Sequence, residues 1–186
     1  MPSRLMGVAV FGEGLLAGIA VLWIWLRGLP VEVGDPLVAL GVGLTAATVM
    51  SLANYGLLRM APPVRPVRAI RRLYVEKFRP LFAAATPVEI LMVSLAAGIG
   101  EELLFRGAVQ AEFGLVVASV CFGLAHIGGR VWFVFGLWVV VMGLGLGGLT
   151  VVTGGLGASI VAHVVYDAAA ITYIHREAAI ACARRP

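Results

Sequence analysis

The fold class predicted for this chain is an all-α polytopic membrane protein, with about six transmembrane helices and one amphipathic surface helix. Three observations carry that prediction. Hydrophobic residues make up 61% of the 186 and charged residues only 13%, whereas a soluble domain is about 45–50% apolar and about 25% charged. Apolar runs long enough to cross about 30 Å of hydrocarbon recur along the chain. Basic residues collect between those runs, so the net charge of +4 reads as topology and contact with anionic lipid, not as a nucleic-acid surface.

The first run covers residues 6–26 and is interrupted only by Glu13. It is too long for a signal-peptide core and is expected to remain as a span, with Trp23 and Trp25 as interfacial anchors. A Gly/Pro/Asp loop at 28–36 leads to a second span at 37–58. Residues 59–86 then hold seven basic side chains, Arg59, Arg65, Arg68, Arg71, Arg72, Lys77 and Arg79. Opposite them, Val67, Ile70, Leu73, Tyr74 and Phe78 recur at helical spacing, which predicts an amphipathic helix on the membrane surface with anionic lipid at 59–79.

A third span is expected at 87–111, a shorter fourth at 114–127, a fifth at 131–150 and a sixth at 158–174. Gly154-Gly-Leu-Gly157 marks a loop or broken helix end. With both termini cytoplasmic, Arg4, the seven basic residues, Arg130, Arg176, Arg184 and Arg185 all fall inside, and only Arg27 falls in an outer loop. That asymmetry fits the positive-inside rule. The chain therefore reads as one integral-membrane domain, 1–186, with a motif-bearing core at about 87–174. Two cysteines, Cys121 and Cys182, are too few for a disulfide framework and are expected as free thiols.

Chemistry concentrates in Gly98-Ile-Gly-Glu-Glu-Leu-Leu-Phe-Arg-Gly107. A charge at the centre of a membrane helix costs about 2.5–3.5 kcal/mol on insertion scales, so Glu101, Glu102 and Arg106 need partners and mark a functional site. Glu102 and Arg106 are four apart and can pair on one face, leaving Glu101 rotated by about 100°. His163 and Asp167 share the same spacing on the sixth span, as do Phe122 and His126 on the fourth. Convergence of the three helices on one internal, water-accessible cavity accounts for all these groups.

Such a set suits peptide hydrolysis: a sheltered carboxylate takes a proton from water, a histidine beside it holds the same water, and further donors stabilise the oxyanion. Two histidines and a carboxylate, here Glu101, His126 and His163, can instead bind zinc with an open position, but the HExxH signature of a zincin is absent. A buried Glu/His/Asp set also serves as a proton relay in a small transporter.

The ordered motifs Glu101-Glu102-x-x-x-Arg106, Phe122-x-x-x-His126 and His163-x-x-x-Asp167 resemble those of the CAAX protease and bacteriocin-processing (CPBP, or ABI) family of intramembrane proteases, over about residues 87–167. The resemblance implies Glu101 as catalytic glutamate, His126 as its partner in activating water, and His163 with Asp167 on the oxyanion side. It implies supporting roles for Glu102, Arg106 and Phe122. It favours a metal-free, glutamate-dependent mechanism, with zinc as the alternative cofactor. Where many members of that family have asparagine this chain has Asp167, which can donate to an oxyanion only as the neutral acid; otherwise it orients His163.

The blander readings are a near-interface or helix-packing place for Glu13 and Glu89, an interfacial place for His175, and packing for Ser159, which lacks the GxSG loop of a rhomboid protease. The function expected is cleavage of a membrane-associated protein near its C-terminus, of CAAX or sorting-tail (myxosortase-like) type. The Arg/Ala/Gly/Val-rich composition points to a bacterial inner membrane. The alternatives are a proton-coupled transporter and an immunity or scaffold partner.

Overall fold

A computed structural model describes residues 2–129 and 132–183, the side chains of 2, 3, 5 and 179–183 excepted. Arg130, Val131, Arg184, Arg185 and the Cys182 side chain lie outside the described residues. Among the described residues there is no strand. Seven helices follow one another: α1 (Pro2–Arg27), α2 (Pro36–Arg59), α3 (Arg65–Phe82), α4 (Pro87–Phe113), α5 (Leu115–Ala125), α6 (Phe133–Thr153) and α7 (Gly157–Ala183).

Sequence signals explain the helix starts. Asp35 accepts from the Leu37 and Val38 amides at 2.9 Å and caps α2, with Pro36 at its first position. Thr86 and Glu89 form a reciprocal capping box at the start of α4, so Glu89 is a cap rather than a packing residue.

Helices α1, α2, α6 and α7 are long and apolar enough to cross a membrane. The third predicted span is α4, which meets α3 at a bend of 118°. The fourth is α5, whose 11 residues extend about 17 Å, well short of about 30 Å of hydrocarbon. Gly114, at φ +85°, turns the chain just before it. Four to five crossings by length and composition therefore stand where the sequence suggests about six.

The amphipathic segment is present as α3, with Val67, Ile70 and Leu73 buried. Its basic side is not simply solvated. Arg71 Nη2 donates to the carbonyls of Ala61 at 2.7 Å and Leu57 at 3.3 Å, beyond the end of α2's hydrogen-bond ladder. Arg79 donates to the Glu177 carbonyl at 3.1 Å, and Arg59 pairs with the Glu177 carboxylate at 2.5 Å. These bonds fasten α2, α3 and α7 together at one end of the bundle.

At the other end, Glu112 takes hydrogen bonds from Trp23 Nε1 at 2.7 Å and Arg27 Nε at 3.0 Å, which sets α1 parallel to α4. The two glycine-containing loops meet there as well: the Leu156 and Gly157 amides donate to the carbonyls of Glu32 and Val33 at 2.8 and 2.9 Å. Deeper in the bundle, α4 crosses α7 at Gly98, where an added Cβ would stand 2.4 Å from Val164 Cγ2. Close approach at a small residue is how membrane helices pack without a hydrophobic drive between them.

Candidate active site

Helix α4 points its two adjacent glutamates in different directions, as the helical rotation of about 100° per residue requires. Glu102 is 0% exposed. Its Oε1 accepts from Arg106 Nη1 at 2.8 Å and from His163 Nδ1 at 2.9 Å. Arg106, 2% exposed, also donates from Nη2 to the Gly143 carbonyl at 3.1 Å and lies with Cζ 4.4 Å from the centre of the Phe122 ring. The buried charges are thus paired, hydrogen-bonded and stacked, the conditions under which burial of ions is tolerated. Beyond Glu102 the helix widens into a π-helical stretch, Leu103–Gln110. Such turns frequently accompany functional sites.

Glu101 faces the other way. Its Oε2 lies 3.6 Å from His163 Nε2 and its Oε1 lies 3.9 Å from His126 Nε2. Asp167 Oδ2 is 3.6 Å from the same His163 nitrogen. These separations are too long for direct hydrogen bonds, and a water beside them can touch two groups at once.

The hydrogen-bond partners assign the ring tautomers. His126 Nδ1 is 2.8 Å from the Phe122 carbonyl, which can only accept, so that nitrogen carries hydrogen and Nε2 faces Glu101. His163 likewise donates from Nδ1 to Glu102 and presents Nε2 to Glu101 and Asp167. Phe122 packs edge-on against Phe105, His126 and His163, with ring centres 5.1, 4.8 and 5.9 Å away. One aromatic ring therefore holds both imidazoles and the guanidinium.

The short α5 explains how His126 reaches this level. Counted from the loop end, Glu101 lies about 18 Å down α4, His126 about 17 Å down α5 and Asp167 about 15 Å along α7. An α5 of full spanning length would carry His126 past the others. The His126 and Asp167 side chains are 29% and 26% exposed, against 12% for Glu101 and 7% for His163, so the cluster opens on the His126–Asp167 side. A cavity of about 450 Å³ on another side is lined by Glu32, Arg106, Gln110, Thr150 and Leu156, and by none of Glu101, His126, His163 or Asp167.

All seven residues singled out in the sequence come together here. His175 lies apart, bonded to the Phe82 carbonyl at 3.2 Å, and Ser159 is tied to Thr150 and the Leu156 carbonyl. Sequence reasoning missed Glu13, which α1 brings against Gly100 beside the cluster. Its signal was a lone carboxylate within an apolar span. As to a metal ion, no group of three His, Cys, Asp or Glu side chains among the described residues is arranged to hold one.

Fold and site together define the class: an integral membrane protein of helices only, built around a buried charged cluster. Residues 83–169 match the family described as type II CAAX prenyl endopeptidase, Rce1-like, and the matched stretch holds every residue of the cluster from Glu101 to Asp167. Over that segment the chain is similar to this family, a likeness consistent with the wider CPBP group. The matched family is one of CAAX-type endopeptidases, and the likeness points to that chemistry for the cluster. Neither the curated proteins nor the solved structures give a match to the chain.

Proposed function

We propose that this protein hydrolyses a peptide bond near the C-terminus of a membrane-associated protein, using a water activated by Glu101 and His126. The observation that carries the reading is Glu101 itself, its two carboxylate oxygens facing the Nε2 atoms of His163 and His126 at 3.6 and 3.9 Å inside the Rce1-like segment.

Glu101 takes one proton from the water as its oxygen attacks the scissile carbonyl. The resulting oxyanion is met from the α7 side by His163 acting as the imidazolium, its Nδ1–H held by Glu102 and its Nε2–H donating, and by Asp167 when that group is the neutral acid. Glu101 then returns its proton to the departing nitrogen, the C–N bond breaks, and the products are a carboxylic acid and an amine. Glu102 holds the His163 ring by its Nδ1–H and favours the doubly protonated form, Arg106 neutralises Glu102, and Phe122 sets the rings. No step passes through a metal ion.

The proposal extends to a motif-bearing core at 87–174 within a single domain. It places the chain in a bacterial inner membrane with both termini cytoplasmic, and the 59–79 segment against anionic lipid. The composition, the family and the charge asymmetry support these parts. A sorting tail or a CAAX-type tail is the substrate class. The test is C-terminal peptide profiling of membranes from cells carrying the wild type or Glu101→Gln. Particular tails left uncut only with the variant support the reading and name the substrates; identical profiles overturn it.

A further inference from the structure

Glu13 is the single charged residue between Arg4 and Arg27 in α1, and an apolar span gives it no reason to be there. Its Oε2 is buried and has no hydrogen-bond partner among the described residues. The side chain does not escape to a membrane surface; it turns toward α4. There the two helices touch: a Cβ at Gly100 would stand 2.6 Å from the Glu13 carbonyl oxygen and 3.4 Å from Oε2. Any larger residue at 100 would push α1 away, so Gly100 admits Glu13 beside its neighbour Glu101. Arg106, the nearest cation in α4, is already taken by Glu102.

We propose that Glu13 is a positioning residue of the active site, orienting the water that Glu101 activates. A water has two hydrogens. Glu101 takes one, and the other is shared between His126 Nε2 and the Glu13 carboxyl, which together point the oxygen lone pair at the scissile carbonyl. No bond to Glu13 forms or breaks, and it gains and loses no proton overall. The inference rests on Glu101 as the base. It adds α1 to the elements that build the site, although α1 lies outside the matched segment 83–169.

The experiment uses the full chain in native membranes, with the endogenous tails that Glu101→Gln leaves uncut as the probe. Cleavage rates and detergent melting temperatures are compared for wild type, Glu13→Leu and Glu13→Gln. The expected result is a fall of about a hundredfold for Glu13→Leu, the scale of a misoriented reactant, with no fall in melting temperature. Glu13→Gln, which keeps a carbonyl acceptor, retains activity to within about tenfold of wild type. A Glu13→Leu rate within twofold of wild type overturns the inference while leaving Glu101 as base. A joint loss of melting temperature and activity in both variants makes Glu13 a packing residue and overturns it too. Undiminished cleavage by Glu101→Gln removes the base itself, and the inference falls with it.

Discussion

His163 is held by Glu102: its Nδ1 stands 2.9 Å from the Glu102 Oε1, while Asp167 reaches only the opposite, Nε2 edge of the ring at 3.6 Å. The carboxylate four residues along α7 therefore leaves the tautomer to a carboxylate on α4. The two glutamates of the motif address the two nitrogens of one imidazole, Glu102 at Nδ1 and Glu101 at Nε2.

Glu102→Gln removes the negative charge that supports the doubly protonated His163 and adds an NH2 group that can face the ring in place of the acceptor. Cleavage is expected to fall by about a hundredfold or more, the sense seen when a carboxylate behind a catalytic histidine becomes an amide. Initial cleavage rates at matched protein abundance check this.

Glu101→Gln is expected to lower cleavage by about 10²- to 10⁴-fold, the range assigned to a general base. His126→Ala is expected to follow it. Neither holds a buried ion pair, so melting temperatures in detergent stay close to wild type. Cleavage persisting in Glu101→Gln would remove it from the role of base.

Arg106→Leu strands Glu102 in a fully buried site. Removing one partner of such a pair costs about 3–5 kcal/mol. Reversible unfolding in mixed micelles should report the loss, and activity should vanish with the fold.

Much of this was legible in the sequence, because hydrocarbon makes charge expensive. Glu101, Glu102, Arg106, His126, His163 and Asp167 stood out against apolar runs, and their fourfold spacings put the right pairs on common faces. Which pairs close between helices was not legible: the Glu102–His163 bond spans 61 positions, and no local pattern encodes it. Glu13 was missed for the same reason, since its meaning depends on α1 lying parallel to α4. The place and brevity of α5 were legible from Gly114 and Gly128-Gly129, but its 11 residues are too few for the crossing expected at 114–127. Arg71 and Arg79 were counted only as part of a basic face toward anionic lipid, because amphipathic periodicity does not reveal donors reaching carbonyls elsewhere in the chain.

Chelation is expected to leave cleavage intact. Membranes dialysed against EDTA should cut the same tails at the same rate, and metal analysis of purified protein should show less than one zinc per chain. Loss on chelation that zinc restores would return Glu101, His126 and His163 to the role of ligands.

Gly98→Leu drives a side chain into Val164 at the crossing of α4 and α7. Overpacking of this kind costs about 1–3 kcal/mol, and it moves Glu101 away from His163. Activity should fall more steeply than melting temperature, as parallel measurements of both will show.

The brevity of α5 has a consequence for the lipid around it. Val116, Val117, Val120 and Leu124 are exposed on a helix of 11 residues, which leaves about 13 Å of an average hydrocarbon layer unmatched. The bilayer beside α5 must dimple or admit water, and it does so at the flank where His126 stands. A polar peptide segment arriving there meets a shallower barrier than anywhere else on the perimeter. Turnover should therefore track acyl-chain length, declining as the surrounding membrane thickens.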